Sequence, residues 1–439
     1  MDGSFASFHG FFFLYKAFCY TRFMNLAEEL KARGLVEHVS APVETILEKP
    51  RTAYLGVDPS ADSMHAGNLL VVLLMKRLSD AGHRIVLLVG GGTGMIGDPR
   101  ESGERVLSDT KTVERNKKAL KTQMQRIIGA KVTVVDNADW LLKVKLIDFL
   151  RDIGKHFTVN ELIKRDIIKR RLENPDDSIS YTEFAYSLLQ GYDYMVLNKE
   201  KGVDLQIGAS DQWTNILSGV ELVRRKLGKE AFALTTPLVT DASGKKFGKS
   251  EGNAIWLDAG KTSPFAFYQF WLNQPDEMVE AYLNMYTFIP LPEIETLMDW
   301  HRENPGVRKA QETLARSVTT LVHGVAATEQ AAMASSVLFG KEPLSALSSA
   351  ARTTLLSEAP TVPVLKKDLA SGLTLVDVLA TSPLSSSKGD ARRLIEGKGV
   401  SLNGVALEAV DQKVAEADFS AGLALLKKGK RDMVILVLK

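Results

Sequence analysis

Two short segments of this chain combine the residue types needed to hold a polyphosphate. His65-Ala66-Gly67-Asn68 offers two short hydrogen-bond donors around a glycine, and Lys246-Phe247-Gly248-Lys249-Ser250 offers two ammonium groups around another. His65 and Asn68 could meet negative charge as it moves onto a leaving phosphate, while Gly67, lacking a Cβ, lets a flat base approach the backbone. Lys246 and Lys249 could neutralise the departing group, with Gly248 giving the loop freedom to close. Taken singly, each feature is ordinary: a histidine beside a helix is usually a cap, and a lysine pair in a loop is usually solvated. A strand-to-helix turn matched with a distant lysine loop, however, suits a reaction that grips a triphosphate from both sides.

Two other glycine patterns invite different readings. Gly92-Thr93-Gly94-Met95-Ile96-Gly97 follows a strand as a dinucleotide site would, but Asp98-Pro99 stands where that fingerprint needs a helix opening on a pyrophosphate. Gly244 to Ser250 resembles a phosphate-binding loop, but three residues separate its glycines and Glu251-Gly252-Asn253 makes a poor helix start. Neither carries an assignment. A third cluster is more telling. Tyr186, Gln190 and Asp193 fall on one helix face, and polar groups on an otherwise apolar face can line a pocket.

The first segment resembles the HIGH signature, and the second the KMSKS signature, of class I aminoacyl-tRNA synthetases. The surrounding residues, from about Asn25 to the C-terminus, are similar to the bacterial-type tyrosine enzymes of that class. The resemblance implies a tyrosine–tRNA ligase that uses ATP, L-tyrosine and tRNA(Tyr), with magnesium accompanying ATP and no metal held by the protein alone. It implies that Tyr54 and Asp193 bind the substrate phenol, and that Asp98, Tyr186 and Gln190 hold its ammonium group. A buried carboxylate aimed at a hydroxyl rejects phenylalanine, which would leave it unpaired; this enzyme family is the familiar illustration of that discrimination. Gln206 and Gln212 would border the tyrosine. Asp58, Gly67, Asp211 and Lys249 would face ATP, with His65, Asn68, Lys246 and Lys249 acting on the phosphates. Two departures stand out: Asn68 replaces the usual histidine and cannot carry charge, and Ala209 replaces a glycine near the ribose. Arg100 and Arg105 are further candidates for ATP.

The elements that must position these groups read as an α/β fold. Apolar strands at Ala53 to Val57, Arg84 to Val89 and Lys131 to Val135 alternate with a helix over Leu69 to Asp80, which predicts a parallel, Rossmann-like sheet. Helices are expected at Asn25 to Glu37, Lys145 to Ile153, Glu183 to Leu189 and Trp213 to Leu227. The expected order is a leader of doubtful status at 1–23, a catalytic domain at 24–252, a helical domain at 253–345, a Ser/Ala/Thr/Pro-rich linker at 346–364 and a small α+β domain at 365–439. That last block holds an Asn403-Gly404 hairpin turn and an edge-like final strand, and it resembles an S4-type RNA-binding module. Lys388, Arg392 and Arg393 on its helix, and the run Lys427, Lys428, Lys430 and Arg431, would meet tRNA; Arg224, Arg225 and Lys226 could meet the acceptor stem.

Composition sets outer bounds. A chain of 439 residues exceeds one core, and a net charge of +2 means that nucleic-acid binding must come from local patches. Its lone Cys19 excludes a disulfide framework and fits a reducing compartment, so a cytoplasmic protein is expected, and the resemblance implies a homodimer. No apolar run reaches membrane-spanning length. The aromatic segment before Met24 lacks the cleavage site of a secretory signal, and an upstream extension of a start at Met24 is the plainer expectation. Rival readings are the related tryptophan enzyme, a non-catalytic RNA-binding protein and an NAD oxidoreductase.

Overall fold

The computed structural model describes residues 24–99, 109–129, 131–240, 249–250, 253–339, 342–429 and 432–439. Arg100, Arg105, Lys246, Lys430, Arg431 and the leader lie outside the described residues. The chain divides into two compact units, one of residues 1–261 with 274–310 and the other of 262–273 with 311–439.

The first unit is built on a six-stranded sheet. Its strands are β1 (His38–Val39), β2 (Thr52–Val57), β3 (Arg84–Val89), β4 (Thr133–Asp136), β5 (Leu205–Ala209) and β6 (Phe232–Thr236), in the order β1-β6-β5-β2-β3-β4. All neighbours are parallel except β1 against β6. The predicted Rossmann-like sheet is therefore present, and strand β3 has the expected bounds. After β4 the chain returns to the other side of β2, so strand order reverses between β2 and β5. Ligands of open α/β sheets bind beyond the carboxyl ends of the strands at such a reversal. Register places Tyr54 directly opposite Gln206 there.

The helices that follow these strands are longer than the sequence suggested. The helix after β2 spans Ala66–Asp80, starting inside the His65 segment, and seven consecutive residues from Leu69 to Met75 are buried. Such all-round burial blurs the helical period that would have marked its start. The helix expected at Glu183 to Leu189 runs from Tyr181 to Lys201, ended by Gly202 in a left-handed conformation. It packs against Trp213–Leu227, and the closeness is set by Gly219: a Cβ there would lie 2.9 Å from Tyr194 Cβ. β4 begins two residues later than expected and ends on Asp136.

The second unit carries a five-stranded sheet ordered β11-β10-β12-β13-β9. Here β9 is Thr361–Val364, β10 Val400–Leu402, β11 Val405–Ala406, β12 Leu423–Lys428 and β13 Asp432–Leu438. A remaining pair, β7 (Lys249–Ser250) and β8 (Asn253–Ala254), belongs to the first unit. Three expectations are corrected. Residues 346–364 are not a linker but contain the helix Ser349–Glu358 and β9, whose Val362 and Val364 enter the core. For the same reason the last strand is not an edge, because β13 has β12 on one side and β9, parallel, on the other. The Asn403-Gly404 hairpin is present, both residues having positive φ. Nor does 253–345 form one helical domain: Asp276–Tyr286 and Leu291–Glu303 fall in the first unit, Pro264–Leu272 and Val325–Leu338 in the second.

Candidate active site

At the carboxyl ends of β2 and β5 lies a chain of polar side chains with one conspicuous gap. Tyr54 on β2 is 1% exposed, and its hydroxyl has no hydrogen-bond partner among the described residues. Buried hydroxyls are normally bonded, so an orphan of this kind points to a ligand group. Gln206 Oε1, directly across on β5, is likewise buried and unpartnered. The Tyr54 ring is held edge-on by Tyr194 at 5.1 Å between centroids, and the Tyr194 hydroxyl is anchored on the Phe232 carbonyl at 2.8 Å. Burial, with the charge of Asp193 adding to it, pushes the Tyr54 phenol well above its usual range. It therefore stays protonated.

Asp193 comes from the helix Tyr181–Lys201 and is buried beside this gap. Trp140 Nε1 donates to its Oδ1 at 2.7 Å and Asn137 Nδ2 to its Oδ2 at 2.9 Å. Even so, burial pushes the carboxyl up to about 8, the two donors and the nearby Asp58 and Asp136 acting in opposite directions. Asn137 also donates to Thr93 Oγ1 at 2.8 Å, and Thr93 in turn donates to Asp58 Oδ1 at 2.7 Å. The Tyr186 hydroxyl completes this line by donating to Asp58 Oδ2 at 2.8 Å. Asp58, expected on ATP, thus accepts from both Thr93 and Tyr186 in this structure. The glycines of the dinucleotide-like pattern answer to close packing: a Cβ on Gly94 would fall 2.7 Å from Pro59 Cδ, and one on Gly92 2.9 Å from Leu141 Cδ1, while just before the pattern a Cβ on Gly90 would fall 2.3 Å from both Asp58 Oδ1 and Thr93 Oγ1.

Asp98 sits on the facing side. It accepts from Gln212 Nε2 at 2.8 Å and from Asn215 Nδ2 at 3.0 Å. Burial, with the charges of Asp58, Asp98 and Asp193 adding to it, pushes the Tyr186 phenol well above its usual range, and its one proton goes to Asp58 and not to Asp98. Gln190 is half-buried on the same helix as Tyr186 and Asp193, and Asp211 is exposed in the turn after β5. Sequence reasoning missed Thr93, Asn137, Trp140 and Asn215. Asn137 and Trp140 stand just past the carboxyl end of β4, a signal that the misplaced end of that strand concealed.

The His65 segment is a helix cap with specific wiring. His65 Nδ1 accepts from Gly67 N at 3.1 Å, and Asn68 Oδ1 accepts from His65 N at 3.3 Å. In the neutral ring the proton is then on Nε2, and Asn68 keeps its NH2 group as a donor. The backbone donors of this first turn are spent: Ala66 N bonds Ile255 O at 2.8 Å and Asn68 N bonds His65 O at 2.9 Å. Anion contacts here must come from side chains. The bond from Ala66 to Ile255, with Leu257 N donating to Met64 O at 2.9 Å, seats residues 255–257 along the His65 segment. Since Lys249 pairs with Ala254 across β7 and β8, the hairpin carrying the second motif issues directly beside the first. The described end of the second motif, Lys249-Ser250, is thus linked through β8 to the segment seated along the first.

The basic groups expected on RNA are partly occupied. Lys388 contacts Asp377 at 2.7 Å, Lys428 donates to the Leu384 carbonyl at 3.0 Å, and Arg224 and Arg225 both pair with Glu221. Arg392 and Arg393 are exposed, the latter 3.7 Å from Asp390.

A family model described as class I tRNA synthetases of the W and Y type matches residues 47–340, more than half of the chain. The chain belongs to the class I tRNA synthetases. Residues 354–436 match a second model, the tyrosine–tRNA ligase SYY-like C-terminal domain. A tyrosine–tRNA ligase of Anaeromyxobacter dehalogenans is 44% identical over 94% of this chain and 99% of its own length. One from Bacteroides thetaiotaomicron is 43% identical over 95% and 100%. Among solved structures, a C-terminally truncated mitochondrial tyrosyl-tRNA synthetase of Aspergillus nidulans superposes with a TM-score of 0.65 at 30% identity, covering 74% of this chain and 98% of that one. For a class I synthetase, the linkage of the Lys249 end to the His65 segment and a pocket at the strand reversal are the expected geometry. No described helix is long and apolar enough to cross a membrane, and the described residues hold no cluster suited to a metal ion.

Proposed function

We infer that this chain is a tyrosine–tRNA ligase, which joins L-tyrosine to ATP as tyrosyl-adenylate and then passes the tyrosyl group to the terminal ribose of tRNA(Tyr). The observation that carries the substrate choice is the buried, unpartnered Tyr54 hydroxyl beside Asp193, whose two oxygens already accept from Trp140 and Asn137. A substrate phenol entering there donates to the Asp193 carboxylate and accepts from Tyr54, satisfying both. An indole, with no acceptor, would leave Tyr54 unpaired.

In the first step the tyrosine carboxylate attacks the α-phosphate of ATP and pyrophosphate leaves. Asp98, with Tyr186 and Gln190, holds the substrate ammonium; Gln206 and Gln212 border the amino acid. His65 and Asn68 meet the triphosphate, Gly67 leaves room for the base, Asp211 meets the ribose, and Lys246 and Lys249 the departing pyrophosphate, with magnesium arriving on ATP. The chemistry is positioning and charge stabilisation, with no general base required. Lys388, Arg392, Arg393 and the basic strand end at Lys427 are proposed to contact tRNA through an S4-like module. Exposed apolar side chains at Leu142, Leu146, Ile147, Val159 and Tyr181 support a homodimer through that face of the first unit. The cytoplasm is the proposed site of action.

Exchange of labelled pyrophosphate into ATP, run with each amino acid, tests the reading. Exchange should depend on tyrosine and be far weaker with phenylalanine or tryptophan. Equal exchange with tryptophan would overturn it.

A further inference from the structure

The donors that hold Asp98 are themselves held. An asparagine can turn either its oxygen or its NH2 group toward a neighbour, and only the NH2 suits a carboxylate. At Asn215 the choice is fixed by Arg165, whose guanidinium donates to Asn215 Oδ1 at 2.8 Å. A guanidinium has no acceptor, so the amide oxygen must face the arginine and the NH2 must face Asp98. The same guanidinium donates to Ser218 Oγ at 2.6 Å. It thereby grips the helix Trp213–Leu227 at two positions three residues apart, while its own backbone caps the helix Asp166–Glu173. Asn215 is 8% exposed, so water cannot readily replace the lost donor. Beyond it, Arg165 lines a cavity of about 500 Å³ with His156, Lys164, Leu217 and Arg225.

We propose that Arg165, acting through Asn215, is a positioning residue that orients Asp98 for the ammonium group of the substrate. The inference rests on the reading above that Asp98 receives that ammonium. Without Arg165 the Asn215 amide loses the bond that anchors its oxygen, its NH2 is no longer held firmly on Asp98, and Asp98 loses its fixed orientation. The effect is one of orientation, since the arginine charge by itself would compete with the ammonium for Asp98.

Three ligands separate the possibilities: tyrosine, tyramine, which keeps the ammonium, and the desamino analogue, which lacks it. In Arg165→Met the dissociation constants of tyrosine and tyramine should rise about tenfold, the scale of a lost hydrogen bond to a charged group. That of the desamino analogue should not change. Arg165→Gln, which keeps a donor without the charge, should restore most of the affinity, and Asn215→Leu should reproduce the loss. Equal weakening for all three ligands would mean a merely structural role and overturn the inference, as would unchanged or tighter tyramine binding. Asp98→Asn is the control. If it fails to separate tyramine from the desamino analogue, the ammonium reading of Asp98 falls, and this inference with it. If it separates them while Arg165→Met does not, only the inference falls.

Discussion

Asp193 accepts from Trp140 and Asn137, yet burial still pushes its carboxyl from an ordinary 3.8 up to about 8. The folded protein therefore holds a proton that the unfolded chain has released across that interval. By linkage, the stabilisation is complete below the unfolded value and is lost as pH rises toward about 8. Asp193→Asn should flatten this decline: between about pH 5 and 8 its melting temperature should fall less than that of the unaltered protein. The same proton reports on substrate. A tyrosine phenol gives the ionised carboxylate a third donor, lowers its pKa and so expels the proton near about pH 7. Calorimetry in two buffers of different ionisation enthalpy should detect this release, and Asp193→Asn should abolish it while weakening tyrosine binding. No release from the unaltered protein would exclude this role. Tyr54 and Asp193 were legible in the sequence because their types and context matched a known pattern. Their supports were not. Asn137 and Trp140 reach Asp193 only because the β3-to-β4 crossover lays β4 alongside, and Tyr186 takes Asp58 as its acceptor where the resemblance had grouped it with Asp98.

Helix packing controls the pocket from behind. Gly219 brings Trp213–Leu227 against Tyr181–Lys201 so closely that an added methyl would lie 2.9 Å from Tyr194 Cβ and Cδ1. Tyr194 cannot yield easily, because its hydroxyl bonds the Phe232 carbonyl and its ring abuts Tyr54. Gly219→Ala should therefore destabilise the first unit by about 1–3 kcal/mol, the usual cost of overpacking. It should also raise the KM for tyrosine while leaving that for ATP nearly unchanged. Denaturant unfolding and steady-state exchange measure the two effects; an unaltered tyrosine KM would show that Tyr194 does not transmit the strain. Elements with strong periodicity were read closely from sequence, such as Trp213–Leu227 and β3. The failures have a common cause. In Thr361–Val364 a threonine and a proline alternate with two buried valines, and in Ser349–Glu358 only Ala351 and Leu355 face inward, so loop-like composition hid a strand and a helix.

The proposed reading places small substrates on the first compact unit and RNA on the second, and the position of the boundary decides how that proposal can be tested. All the tyrosine-pocket residues belong to the first unit, whereas Lys388, Arg392 and Arg393 belong to the second. A cut at Leu365 would be misplaced. It would strip β13 from β9 and expose Val362 and Val364, which are 8% and 2% exposed in the intact sheet. Ending the chain after Ala359 instead removes the whole five-stranded sheet and keeps the helix Ser349–Glu358. Tyrosine-dependent pyrophosphate exchange needs no RNA and should stay within about twofold, whereas phosphate contacts strengthen tRNA binding through counterion release. Charging of tRNA(Tyr) should therefore fall at least about tenfold, and the steepness with which tRNA affinity declines with salt should lessen, because fewer cations are displaced. Exchange that collapsed along with charging would mean that the sheet supports the catalytic unit. Charging that survived intact would return Arg392 and Arg393 to the solvated surface on which such charges usually lie.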